Sequence, residues 1–238
     1  MDVILPLNNN LGKTSLGNGY EAELCVIGVL KYFKGADRVF ISSKARIKIP
    51  NEYKDRVFFV DCDDPYPAKD ANIINKIKTV LDAYPDVSDE FLFISDDQIF
   101  IRETDPSEIM PILKTTVSGT GLYQSRVYNT LNRFKNPVII NPHQPVIFNK
   151  QLFIDMCGYS NYDVEFTSVV IYILYYNYVL SRGVHVEFTN SLGIYRHYHS
   201  VIEPYNGGDF PKGSKIIAFS TMTFCNQNFR ETLEKYLL

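Results

Sequence analysis

Long apolar runs are missing from this chain of 238 residues. The most apolar stretch, VVIYILYYNYVL from Val169 to Leu180, carries four tyrosines and Asn177. At that length it cannot cross a bilayer, which needs about twenty apolar residues, so it is expected in the core. Cysteine pairs are missing as well. Cys25, Cys62, Cys157 and Cys225 lie far apart with no Cys-x-x-Cys spacing, which argues against a zinc knuckle or a disulfide framework. The chain has no Asn-x-Ser/Thr acceptor, and MDVILPLNNN lacks the basic start and the apolar length of a signal peptide. A reducing, cytoplasmic setting is therefore expected. A strong field of either sign is absent too: the net charge is −3, which does not indicate diffuse attraction to nucleic acid or anionic membrane. The most basic stretch, Lys44, Arg46, Lys48, Lys54 and Arg56, alternates with apolar residues and reads as a solvated strand edge and loop. No repeat or low-complexity tract is visible.

What remains is an ordinary globular composition, 45% hydrophobic and 21% charged, of a length that one large domain can use. Apolar runs alternate with helical patterns, which predicts an α/β fold with a mainly parallel sheet covered on both faces. Strands are expected at Asp2–Leu7, Arg38–Ser42, Arg56–Val60 and Glu90–Ser95. Asn18 and Glu21 have the spacing of a capping box, and the apolar face that follows predicts a helix over 20–34. Ile73, Ile74, Ile77, Val80 and Leu81 predict a second helix from Ala68 to Tyr84, ended by Pro85. Beyond Thr104 the alternation weakens. Short strands are expected at Val138–Ile140, Val146–Phe148, Val184–Phe188 and Lys215–Ser220, with helices at Val164–Leu180 and Asn228–Leu237. For Val164–Leu180 the β-branched and aromatic content leaves a strand as the competing reading. The tyrosines at 172, 175, 176 and 178 are read as core.

The most informative junction is FLFIS running into Asp96 and Asp97. Ligands of open α/β sheets bind outside the carboxyl ends of the strands, so two acids there face a site. Carboxylate oxygens suit a hard ion such as Mg²⁺ or Mn²⁺ that keeps positions open for diphosphate oxygens. The competing reading is that the pair caps the next turn.

The order of MDVILPLNNN, a helix, KDANIINKIKTVLDAY and FLFISDDQIFI resembles the nucleotide-binding half of GT-A glycosyltransferases. In that family a hydrophobic strand ends in an Asp-x-Asp motif, whose first two positions are matched here by Asp96 and Asp97 and whose third is Gln98. The resemblance implies a single GT-A-like, Rossmann-like domain over 1–238, with a nucleotide-sugar half over 1–103 and an acceptor half over 104–238. It implies a nucleoside-diphosphate sugar as donor, Mn²⁺ or Mg²⁺ as cofactor, and a hydroxyl acceptor whose class stays open among polysaccharide, lipid-linked glycan and modified DNA. By the same resemblance Pro6, Leu7 and Asn8 border the nucleotide, Asp61 or Asp63 lies near the base or ribose, and Lys69, Asn72 and Lys76 precede the acidic pair. The alternative for both lysines is a solvated helix face, the preferred reading for Lys76. Asp163 and Glu165 match an acidic pair that opens a helix on the acceptor side; one would be the base of an inverting transfer, or both simply start a helix. His197 and His199, at i and i+2 of a strand, share a face on which one could complete the metal shell, as a late histidine does in some members. His143 is read as structural.

A second, partial resemblance competes. ELCVIGVLKY, FLFISDDQIFI and NPHQPVIFNKQLF look like pieces of Stealth-type transferases of hexose 1-phosphate, which make capsular polysaccharide. Their opening acidic motif has no counterpart here, and Val146 stands where their His-x-Pro-His segment ends. A third reading, a nucleotide-binding module without turnover, is open as well.

Overall fold

The computed structural model describes residues 1–11, 19–114, 121–140, 143–160, 169–199 and 204–238. Strands β1 (Asp2–Pro6), β2 (Val39–Ser42), β3 (Val57–Val60) and β4 (Glu90–Phe93) form where the apolar runs predicted them. Between them lie α1 (Tyr20–Tyr32), a 3-10 turn at Asn51–Arg56, and α2 (Lys69–Ala83). Then follow β5 (Gln98–Phe100), α3 (Pro106–Ile109), β6 (Ile112–Leu113), α4 (Leu122–Leu131), β7 (Val146–Asn149) and α5 (Lys150–Ser160). The described chain closes with α6 (Ile171–Ser181), β8 (Phe188–Thr189), β9 (Tyr195–Tyr198), β10 (Ile216–Phe219), α7 (Thr221–Phe224) and α8 (Gln227–Leu237).

The main sheet has the order β3-β2-β1-β4-β7, parallel throughout except for the edge strand β7. After β1 the chain builds outward through β2 and β3, then returns across β1 to lay down β4 on its other side. That reversal opens a crevice at the carboxyl ends of β1 and β4. Alternation along each strand explains why both faces are covered. Val3, Leu5, Val39, Ile41, Leu92 and Ile94 point into one core with α1 and α8. Ile4, Phe40, Val60, Phe91 and Phe93 point into the other with α2, α5 and α6. A second sheet, β5-β10-β9, and a small β6-β8 pair complete the fold. β4 pairs with β7 and β5 with β10, so sheet contacts cross the division at residue 103.

Several expectations change. Gly19 at φ 73° is the N-cap of α1, so Glu21 is the second helical residue and no side chain caps this end. Asn18 lies outside the described residues. The segment at Val138–Ile140 forms no strand: the amide and carbonyl of Val138 bond to the Asn177 side chain at 2.6 and 2.9 Å, which satisfies the backbone without a partner strand. The strand expected at Val184–Phe188 shrinks to Phe188–Thr189. The helix expected from Val164 is described only from Ile171, and Tyr175, Tyr176 and Tyr178 are buried core residues, as read. Among the described residues no helix is long and apolar enough to cross a membrane.

Two local contacts set the strand ends. Asp2, 2% exposed, accepts from Arg38 Nε and Nη2 at 2.9 and 2.8 Å and from the amide of Ser88 at 2.9 Å. Burial alone would raise its pKa, but the Arg38 and Ser88 hydrogen bonds outweigh that and hold it below the usual aspartate value. Gly28 lets α1 rest on β5, since a Cβ there would stand 2.5 Å from the carbonyl oxygen of Phe100.

Because the folded pKa of Asp2 is lowered, its contribution is complete above the unfolded value, near about 4, and fades as pH falls through the folded value. Acid titration of the urea midpoint is expected to show this loss in the wild type and a shallower one in Asp2→Asn. Gly28→Ala, which on a free helix would stabilise, is expected to destabilise by about 1–3 kcal/mol because backbone must shift. An unchanged urea midpoint would show that α1 adjusts freely.

Candidate active site

The acidic pair sits in a tight turn. Gln98 N donates to Ser95 O at 3.1 Å, and Ser95 N donates to Gln98 Oε1 at 3.2 Å, so the chain reverses around Asp96 and Asp97 between β4 and β5. Phe219 N donates to the carbonyl of Asp97 at 3.1 Å and ties the turn to the end of β10. Gln98, at the motif's third position, is fully buried and serves as this clip. It is not a third acid-like group facing solvent.

The turn borders a cavity of about 430 Å³ in the β1–β4 crevice. Pro6, Leu7, Asn8, Lys69, Asn72, Lys76, Asp96 and Asp97, all singled out in the sequence, line it together. Their parts differ. Asn72 is a staple, its amide bonding Tyr66 N and O at 2.9 and 2.7 Å. Lys69 is exposed at the first turn of α2, whose N-cap, Ala68, offers no side-chain acceptor; Asp70 in the same turn offsets part of the helix end's positive character, and Lys69 adds to it.

Lys76 corrects its preferred reading. It is 2% exposed, and its ammonium donates to Leu7 O at 2.6 Å and pairs with Asp64 at 2.5 Å. Asp64 accepts from Asn9 N at 3.1 Å, while the Asn9 side chain bonds Cys62 O, Ser43 Oγ and the amide of Lys44 at 2.9, 2.8 and 2.7 Å. Thus one buried lysine and one asparagine knit the carboxyl ends of β1, β2 and β3. Asp61 and Asp63 are exposed and paired with Arg46 and Lys44, each at 2.5 Å. Neither lines the cavity; Asp64 is the acid of that loop that does. The same pairs make Lys44 and Arg46 a solvated, ion-paired edge, as expected.

The electrostatics on the opposite wall are unbalanced. Asp97 Oδ1 is buried and has no hydrogen-bond partner among the described residues. Burial, then the adjacent Asp97 charge, holds the carboxyl of Asp96 well above the usual range, against a smaller opposing effect of Lys69. Glu21, read in the sequence as a helix-start residue, also lines this cavity, 6% exposed, with Oε2 buried and unpartnered among the described residues. Asp64 and Glu21 were missed as site residues because acids beside a turn or in a first helical turn have common structural explanations.

The histidines gather next to the turn without lining the cavity. His143 Nε2 stands 3.5 Å from Asp97 Oδ2, and its ring stacks on His197 at 4.8 Å. His199 is edge-on to His197 at 6.2 Å. Burial, then His143, lowers the pKa of His197 to about 4. Among the described residues no group of three or more His, Cys, Asp or Glu is arranged to hold a metal ion by itself. Asp163 and Glu165 lie outside the described residues.

Solved structures match this architecture over nearly its whole length. An active-site mutant of LgtC superposes with a TM-score of 0.53 at 12% identity, over 100% of this chain and 97% of that one. The galactosyltransferase LgtC with donor and acceptor sugar analogs gives 0.50 at 10% identity, over 100% and 97%. The fold is GT-A-like. The inositol-1-phosphate CTP transferase from T. maritima gives 0.51 at 10% identity, over 99% and 95%. No family model matches the chain, and no curated protein matches it in sequence. At these identities the likeness is one of fold, and fold does not fix chemistry.

Replacing Lys76 by Ala leaves Leu7 O and Asp64 without their cation. Since Asp64 is partly solvated, the expected cost is about 1–3 kcal/mol, below that of a fully buried pair. Lys76→Ala with an unchanged urea midpoint would show that water replaces the ammonium.

Proposed function

We propose that this chain is a glycosyltransferase that moves a sugar from a nucleoside diphosphate to a hydroxyl acceptor, with Mg²⁺ or Mn²⁺ held at Asp96 and Asp97. The observation that carries this reading is the convergence of the acidic turn, the start of α2 with Lys69 and the end of β1 on one cavity at the β1–β4 crevice.

The residues present fit such an ion. Mg²⁺-type sites commonly use one or two carboxylates and complete their shell with water and substrate phosphates, so the lack of a larger ligand group is no obstacle. The unpartnered Asp97 Oδ1 and the pressure on Asp96 to hold a proton are what an acid pair shows when its counter-charge arrives with the ligand. When bound, the ion would neutralise charge on the leaving diphosphate. Lys69 and the amide end of α2 attract the same phosphates. Pro6, Leu7 and Asn8 border the nucleoside on a strand end that Lys76 immobilises, and Asp64 takes the place first given to Asp61 or Asp63. His197, whose burial favours the neutral ring, or His199 would add a nitrogen ligand. Asp163 or Glu165 would deprotonate the acceptor if the transfer inverts configuration; this assignment stands on the sequence alone.

Titration with UDP- and GDP-sugars, with and without Mn²⁺, tests the reading through thermal shift and sugar release. The wild type is expected to gain stability with one donor plus Mn²⁺ and to release sugar. Asp97→Asn is expected to lose at least tenfold of the Mn²⁺-dependent activity, about 1.4 kcal/mol or more of transition-state stabilisation. Indifference to metal in both proteins would sink the proposal. Labelled β-phosphorus appearing in the acceptor would instead indicate hexose 1-phosphate transfer, and tight binding without release a module without turnover.

A further inference from the structure

We infer that Glu21 is the residue that selects the sugar of the donor, accepting hydrogen bonds from its hydroxyl groups; this rests on the glycosyltransferase reading. Glu21 is 6% exposed and lines the cavity, and its Oε2 is buried with no hydrogen-bond partner among the described residues. A buried carboxyl oxygen without a donor is costly, so one kept in the wall of a cavity points to a ligand that supplies the missing hydrogen bond.

The cavity's own chemistry narrows that ligand. Its cations, Lys69 and Lys76, come from α2, whose amide end faces the same space. Glu21 comes from α1, and Phe219, Thr221 and Phe224, from the end of β10 and α7, line the cavity as well; Tyr20, its neighbour in sequence, packs on Phe224 with ring centroids 6.3 Å apart. A phosphate placed beside Glu21 would be repelled by its carboxylate, whereas at α2 it is attracted. The end of the ligand that meets Glu21 must therefore be uncharged and rich in donors. A hexose fits: its hydroxyls donate to the carboxylate, and the Phe219 and Phe224 side of the wall suits its C–H faces.

Isothermal titration of wild type and Glu21→Gln decides the matter, using UDP, GDP, their hexose conjugates with Mn²⁺, and Mn²⁺ alone. The wild type is expected to bind one conjugate more tightly than its free diphosphate, and Glu21→Gln to lose roughly tenfold to a hundredfold of affinity for the conjugate while holding the diphosphate within about twofold. The melting temperature of the variant is read alongside, so that a loss of fold is not mistaken for a loss of affinity. If Glu21→Gln keeps the conjugate's advantage, the assignment is overturned and the donor reading stands. If it loses Mn²⁺ binding instead, Glu21 is a metal ligand and the assignment is overturned. If the wild type binds no nucleotide, the donor reading fails and the assignment with it.

Discussion

Everything proposed for this molecule depends on the reversal of chain direction at Ser95–Gln98. A strand buried on both faces has no side chain free for chemistry until it leaves the sheet. Here it leaves through a turn that the buried Gln98 clips to its own first amide and that β10 anchors through Asp97 O. The clip explains the departure from an Asp-x-Asp pattern. A third acid would have to be buried beside two others, whereas glutamine supplies an acceptor for Ser95 N without adding charge. The acids are thereby held at the mouth of the crevice, on backbone that packing fixes before any ligand arrives.

A second constraint works on the other side of the same crevice. Strand ends are where an α/β sheet loses its hydrogen-bond ladder, and three ends meet here. Lys76 and Asn9 supply the donors and acceptors that the ladder no longer provides. The lysine is therefore bound up in structure, which leaves Lys69 and the helix amides as the groups free to meet phosphate. One wall is thus preorganised by internal ion pairing and the other carries acids with unmet demand, and a ligand that is anionic at one end and rich in hydroxyls at the other satisfies both.

The parts of this arrangement that the sequence made legible are those with local causes. β1 through β4, α1, α2 and α8 follow from runs and periodicities of a few residues, and the switch at FLFIS follows from strand length. Lys76 was partly legible: it stands four residues before the core residue Val80, a spacing that places it on the buried face of α2. Its burial was hidden because its partners, Leu7 O and Asp64, come from loops that no periodicity predicts. The β5-β10 pairing joins segments more than a hundred residues apart. Nothing local in QIF announces that partner, nor that the partner would bring Phe219, Thr221 and Phe224 to the cavity. Val138–Ile140 failed for the converse reason: its composition suits a strand, but one asparagine side chain on α6 satisfied the backbone first.

Glu21 is the clearest case of a residue whose local and global roles coincide. At the first turn of α1 an acid is favoured by the helix end whatever surrounds it, so sequence reasoning stops at that explanation. A first-turn acid kept for the helix alone would face water, where the macrodipole stabilises it and solvation is retained. The Oε2 of this one is buried and has no hydrogen-bond partner among the described residues. The helix end then does different work: its positive character offsets part of the cost of holding a carboxyl group in the cavity wall. Glycine at the N-cap, with φ 73° and with Ile47 and Leu11 methyl groups 2.8 Å from where a Cβ would stand, lets the chain enter the helix tightly enough to bring that carboxylate to the wall.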